Sequence, residues 1–117
     1  MNVLVTGGGG FLGRRIVERL IERGDRVRVL ARGAYPELGE MGVETIRGDL
    51  RNCDAVMDAC REMDAVFHVA AMTGIWGPYK DFFDINVTGT SHVLAGCLRH
   101  GVKRLIRVGT CGAMQPG

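Results

Sequence analysis

Short apolar runs alternate with segments whose apolar residues recur every three to four positions. The first run, Val3-Leu4-Val5, has the continuity expected of a strand covered on both faces. It leads into Thr6-Gly7-Gly8-Gly9-Gly10-Phe11-Leu12-Gly13, and Leu12, Ile16, Val17, Leu20 and Ile21 then recur at helical spacing to about Arg23, where Gly24 stops the helix. Arg26 to Ala31 predicts a second strand, Pro36 to Glu40 one short helical turn, and Val43 to Arg47 a third strand ending at Gly48-Asp49-Leu50. Asn52 or its neighbour caps a third helical piece ending near Cys60. Asp64 to Ala70 is a largely apolar fourth strand, followed by a loop with Gly74, Trp76, Gly77 and Pro78. From Lys80 to His100 the residues Phe82, Phe83, Ile85, Val87, Val93, Leu94, Cys97 and Leu98 fall at helical spacing, although Gly89 and Gly96 lower the propensity. Gly101 ends this helix, Lys103 to Gly109 is a fifth strand, and residues 110–117 follow it.

Strand and helix in alternation, joined by right-handed crossovers, predict a doubly wound parallel α/β sheet of order 3-2-1-4-5 with helices on both faces. Ligands of such sheets lie beyond the C-terminal strand ends, where the order reverses between strands one and four. The glycine run stands there. Gly7 can take the turn off the strand, Gly10 lets backbone N–H groups approach a pyrophosphate, and Gly13 lets the helix pack closely. The helix N-terminus then faces the anion. Four glycines in a row also suit a flexible loop, and it is the strand before them and the amphipathic helix after them that favour nucleotide binding.

A length of 117 residues fits one domain. The 15 basic and 13 acidic residues are dispersed, with no block of like charge to mark a nucleic-acid or membrane surface. No segment approaches the roughly 18 apolar residues of a membrane span, and the N-terminus enters a strand directly, so the expectation is a cytoplasmic protein without membrane or nucleic-acid partners. Cys53, Cys60, Cys97 and Cys111 form no C-x-x-C pair and have no histidine at metal-ligand spacing. They read as free thiols packed as small hydrophobes, and no metal is expected. His68, inside an apolar run, reads as a strand histidine lining a cleft more readily than as a general base. His92 and His100 read as helix surface or interface residues.

Selectivity between dinucleotides rests on the end of the second strand. An NAD site would present an acidic residue about 20 residues beyond the glycines to hold the ribose 2′-OH. Ala31 and Arg32 stand there, and Asp25 is at the wrong end of the strand. Arg32 suits a 2′-phosphate, which favours NADP(H) while leaving NAD(H) possible; a solvated surface arginine is the competing reading.

Thr6-Gly-x-x-Gly10-x-x-Gly13, Gly48-Asp49-Leu50, His68-Val-Ala-Ala71 and Asn86-Val-x-Gly89-Thr90 follow one another at the spacings of extended short-chain dehydrogenases/reductases, and the chain resembles that superfamily along essentially its whole length. Residues 31–38 and 74–79 look like its 3β-hydroxysteroid dehydrogenase branch and the bacterial 2-alkyl-3-oxoalkanoate reductases. The resemblance implies a Rossmann-type fold and NAD(P)-dependent reduction of a keto group or oxidation of a hydroxyl, on a 3β-hydroxysteroid or β-keto acid type of small molecule. It implies cofactor contacts from Thr6, Gly7, Gly10, Phe11, Leu12 and Gly13, with Asp49 accepting from the adenine amino group and Leu50 flanking the ring. A turn or helix-capping aspartate is the competing reading of Asp49. Ala70 and Ala71 would leave room for the cofactor ribose, though small residues there also suit plain packing. Asn86 would face the site and bond backbone near strands four and five, against a solvent-facing alternative. Thr90 would support the helix surface. Thr110 would give the hydroxyl that hydrogen-bonds the substrate carbonyl; threonine is also common in such turns without function.

The superfamily's proton donor, the tyrosine of Tyr-x-x-x-Lys, lies beyond the position of Thr110, and neither Tyr35 nor Tyr79 has lysine four residues on. Residues 1–117 are therefore expected to be the dinucleotide-binding domain of a reductase without its substrate-binding C-terminal portion, binding cofactor but unable to complete hydride transfer. Two alternatives differ in kind: a stand-alone nucleotide-binding or redox-sensing module, and a fragment of an NAD-dependent sugar epimerase/dehydratase. A further alternative is a short chain that dimerises or swaps elements, as a homodimer, so that apolar surface left bare by the missing half is covered. Trp76 fits a substrate lid or a surface aromatic.

Overall fold

The computed structural model describes residues 1–7, 11–69 and 88–108. In chain order the elements are β1 (Asn2–Thr6), α1 (Phe11–Glu22), β2 (Arg26–Ala31), α2 (Pro36–Glu40), β3 (Glu44–Arg47), α3 (Cys53–Ala59), β4 (Ala65–Val69), α4 (Gly89–His100) and β5 (Arg104–Val108). The strands form one parallel sheet in the order β3-β2-β1-β4-β5, as the alternation predicts. The fourth helical pattern is described from Gly89, and its predicted part over 80–87 lies outside the described residues, as does Ala70 at the end of β4. β1 reaches one residue further at each end than its apolar triplet, because Asn2 pairs with Arg26 and Thr6 with Leu30.

Side chains alternate across the pleat, so each central strand feeds two cores. Val3 and Val5 join Val17 and Leu20 of α1, Leu38 of α2, and Val27 and Val29 of β2 on one face. Leu4 lies on the other face with Val56 and Ala59 of α3, Val66 of β4, and Val93 and Cys97 of α4. The helices therefore cover both faces in pairs, and the apolar runs of β1 and β4 are the consequence of burial on both sides.

Two local devices hold α3. Asn52 caps it, its side chain accepting from the Ala55 N–H at 3.2 Å. At the other end Arg28 of β2 donates to the carbonyls of Ala59 and Arg61, both at 2.9 Å, which satisfies orphan groups of the last turn. Against α3 and the β3–α3 connection packs α4, and its two low-propensity glycines are explained by these contacts. A Cβ on Gly96 would sit 2.7 Å from Cys60 Sγ and 3.2 Å from Cys60 Cβ, while one on Gly89 would sit 2.9 Å from Leu50 Cβ. Close approach outweighs helix propensity at both positions. The Gly96→Val variant is expected to lose about 1–3 kcal/mol of stability through overpacking. Urea unfolding measures it, and Cys60→Ala in the same chain is expected to restore part of the loss.

Candidate functional site

The C-terminal ends of β1, β2 and β3 lie side by side. The Gly7 N–H donates to the Leu30 carbonyl at 3.3 Å, and the Gly48 N–H to the Ala31 carbonyl at 3.0 Å. On its other side β1 pairs with β4, so Gly7 is at the point where the strand order reverses. Gly7 has φ of 74°, in the left-handed region, and a Cβ there would stand 3.2 Å from the Val69 carbonyl oxygen. Both facts favour glycine, the first because side chains are strained at this φ and the second because a Cβ would crowd backbone. Gly7 itself presents no side chain at the C-terminal end of β1, the end at which doubly wound sheets hold ligands.

Immediately before this turn a buried polar chain ties three elements together. Thr6, fully buried, accepts from the Val69 N–H at 3.2 Å through its Oγ1, which stands 2.7 Å from His68 Nδ1. His68 Nε2 in turn lies 3.0 Å from Thr90 Oγ1 in the first turn of α4. Each ring nitrogen thus meets a threonine hydroxyl, which can either donate or accept, so the neutral ring makes one donor and one acceptor contact whichever nitrogen carries the proton. Burial, reinforced by the positive charge of Arg107 on β5, pushes the His68 pKa down to about 4. His68 is 2% exposed and so is built into the structure rather than lining a cleft. Thr90, expected to support the helix surface, is half-buried and completes the chain.

The rim beyond β2 and β3 is charged. Arg32, its side chain 64% exposed, stands with Nη1 3.9 Å from Asp49 Oδ2. Asp49 is held more tightly by a residue that sequence reasoning passed over, Arg51. Arg51 donates from Nη2 to Oδ2 at 2.7 Å, from Nε to Oδ1 at 3.1 Å, and from its backbone N–H to Oδ1 at 2.9 Å. These bonds to Arg51 hold the Asp49 carboxyl below its ordinary pKa. The acceptor expected to meet an adenine amino group is thus engaged within the protein. The spacing is the available signal, since an aspartate readily bonds the backbone two residues on. Leu50 packs against the second core, and His92 Nδ1 donates to its carbonyl at 2.8 Å. His92 is therefore half-buried and anchors the β3–α3 connection to α4.

Leu12 packs beside the first core and Gly13 is buried, both in the first turn of α1, which Phe11 opens. Gly10, Ala70, Ala71, Trp76, Asn86, Thr110 and Cys111 lie outside the described residues. Cys60 and Cys97 are buried as small hydrophobes, and burial pushes the Cys60 thiol up to about 12, whereas Cys53 is exposed. Among the described residues no group of three His, Cys, Asp or Glu could hold a metal, and no helix is long and apolar enough to cross a membrane.

A model of the 3-beta hydroxysteroid dehydrogenase/isomerase family matches residues 4–117. The chain belongs to this family. It is similar to a 2-alkyl-3-oxoalkanoate reductase of Stenotrophomonas maltophilia, 49% identical over 110 residues that make up 94% of this chain and 33% of the relative. With a 3-beta-hydroxysteroid dehydrogenase of Mycolicibacterium neoaurum it shares 35% identity over 89% of this chain and 30% of the relative. Among solved structures, a short-chain dehydrogenase/reductase superfamily protein of Agrobacterium tumefaciens with bound NAD aligns at a TM-score of 0.79 and 31% identity. That alignment covers 92% of this chain and 32% of the other. The family member thus spans about a third of the length of the curated relatives it matches.

The His68 assignment makes stability depend on pH in a defined window. A ring that takes up its proton at about 4 when folded and near 6.5 when unfolded leaves the unfolded chain with more bound protons between those values. Stability from this group is fully present above pH 6.5 and falls as the pH drops to about 4, by about 3 kcal/mol. Urea unfolding from pH 7 to pH 4 is expected to show a shallower loss for His68→Gln than for the unaltered protein, the difference isolating this residue from the titrating carboxylates.

Proposed function

We propose that residues 1–117 form the dinucleotide-binding domain of an oxidoreductase that reduces a keto group or oxidises a hydroxyl, with NADP(H) preferred to NAD(H). The observation that carries the reading is Gly7, a left-handed glycine where a Cβ would crowd the Val69 carbonyl oxygen at 3.2 Å, at the reversal of strand order. The residues present fit a dinucleotide: a bare turn for the pyrophosphate beside β4, and an exposed guanidinium at the end of β2 for an anionic group on the adenosine ribose. When bound, such a cofactor supplies or accepts a hydride at its nicotinamide ring. The chain's own share is binding and orientation. By the family resemblance, Gly7, Gly10 and Gly13 would admit the pyrophosphate, Leu50 would flank the adenine, Ala70 and Ala71 would leave room for the cofactor ribose, and Asn86 would face the site and bond backbone. Thr110 donates a hydrogen bond to the substrate oxygen, where negative charge develops in reduction.

The family match and the named reductase and steroid dehydrogenase relatives support a small-molecule ketone or secondary alcohol as substrate. The preference for NADP(H) rests on Arg32 in place of the acidic residue that would hold a 2′-OH. Calorimetric titration of the purified protein is expected to give tighter binding of NADPH than NADH. Arg32→Ala should weaken NADPH about tenfold and leave NADH little changed, as removal of one charge-assisted contact predicts. Gly7→Val should weaken both. Tighter binding of NADH by the unaltered protein would overturn the NADP assignment, and unaltered affinities in Gly7→Val would remove the glycine turn from the site.

A further inference from the structure

We propose that Arg51 is a specificity-determining residue: by neutralising Asp49 it leaves Arg32 available for a phosphate on the ribose 2′-oxygen. The inference rests on the reading of this site as one for NADP(H), and deepens it.

Asp49 is awkwardly placed for that ligand. Its Oδ2 forms a long ion pair with Arg32 Nη1 at 3.9 Å, and an unscreened carboxylate there would tighten that pair and repel a phosphate arriving beside it. The carboxylate is not unscreened. Arg51 forks onto both of its oxygens, with Nη2 at 2.7 Å from Oδ2 and Nε at 3.1 Å from Oδ1, and the Arg51 N–H adds a third bond at 2.9 Å. A planar guanidinium on two carboxylate oxygens is the stronger kind of charge-assisted pair, and it is preorganised here because donor and acceptor are two residues apart on one turn. Arg32 is left at a distance longer than a hydrogen bond.

The three side chains together carry two positive charges and one negative, a net attraction for a group of about −1.5 to −2 charge such as a phosphate monoester. Without the guanidinium of Arg51 the remaining pair sums to zero and is free to close on itself. Lysine could not reproduce the arrangement, because it lacks the fork. Sequence reading alone credits Arg32 with the 2′-phosphate and Asp49 with the adenine; the geometry makes the two compete unless Arg51 intervenes.

The test uses adenosine 2′,5′-bisphosphate and adenosine 5′-monophosphate, which differ only in the 2′-phosphate, so that adenine contacts cancel in the ratio of their dissociation constants. Arg51→Met is expected to reduce the preference for the bisphosphate about tenfold at low salt, the scale of one charge acting over several ångströms at a partly exposed site. Asp49→Asn is expected to raise it. The double variant Asp49→Asn/Arg51→Met restores the original charge and is expected to return the ratio close to that of the unaltered protein. Loss of a merely structural contact would not be rescued in this way, and thermal unfolding verifies that each variant is folded. A ratio unchanged in Arg51→Met but lowered in Arg32→Ala would overturn the inference and leave the NADP reading standing. Failure of the double variant to recover would also overturn it. If the unaltered protein shows no preference for the bisphosphate, the NADP reading itself falls and the inference with it.

Discussion

The architecture depends on β1 being closed on every side. Val3, Leu4, Val5 and Thr6 have no exposed surface, since β2 and β4 take the two edges and the two helical layers take the two faces. A parallel strand in that position can be followed only by a crossover that leaves the sheet at its C-terminal end. The order of strands then reverses around β1, and the space between the two departing connections is the place where doubly wound sheets hold their ligands. Apolar burial of β1 thus places Gly7 at that reversal of strand order.

Burial of the last strand residue brings a polar cost, because a hydroxyl removed from water needs partners. His68 and the Val69 amide meet that need for Thr6, and the imidazole passes the connection on to Thr90. The consequence is mechanical as well as electrostatic. The strand leading into the glycine turn, the strand beside it and the first turn of α4 are held in one relation by directional bonds, and burial favours the neutral ring within the set. A preorganised floor of this kind lowers the ordering that a ligand would otherwise have to impose.

At the rim the balance is different, because water screens the charges and single contacts are weak. Arg32, Asp49 and Arg51 matter there as a set. Local turn geometry places Asp49 and Arg51 together, whereas the Gly48–Ala31 hydrogen bond between neighbouring strand ends brings Arg32 to them.

The alternation of period-two and period-3.6 hydrophobicity is enough to specify the elements, their order and the glycine turn, because a strand covered on both faces and an amphipathic helix have different side-chain repeats. Arg32 is likewise visible as a basic residue where a strand should end, and Asn52 as a helix cap. The partners are not visible in this way. That Thr6 lies opposite His68 follows from the parallel register of β1 and β4, 62 residues apart in sequence, and the link to Thr90 needs α4 seated on the sheet. Gly96 looks like a defect in a helix until Cys60 is found against it. Among the described residues, local pattern therefore determined what each segment becomes. Only packing across the sheet decided which polar groups meet, since hydrogen bonds and close contacts act over about 3 Å and carry no trace in residue spacing once the chain has crossed over.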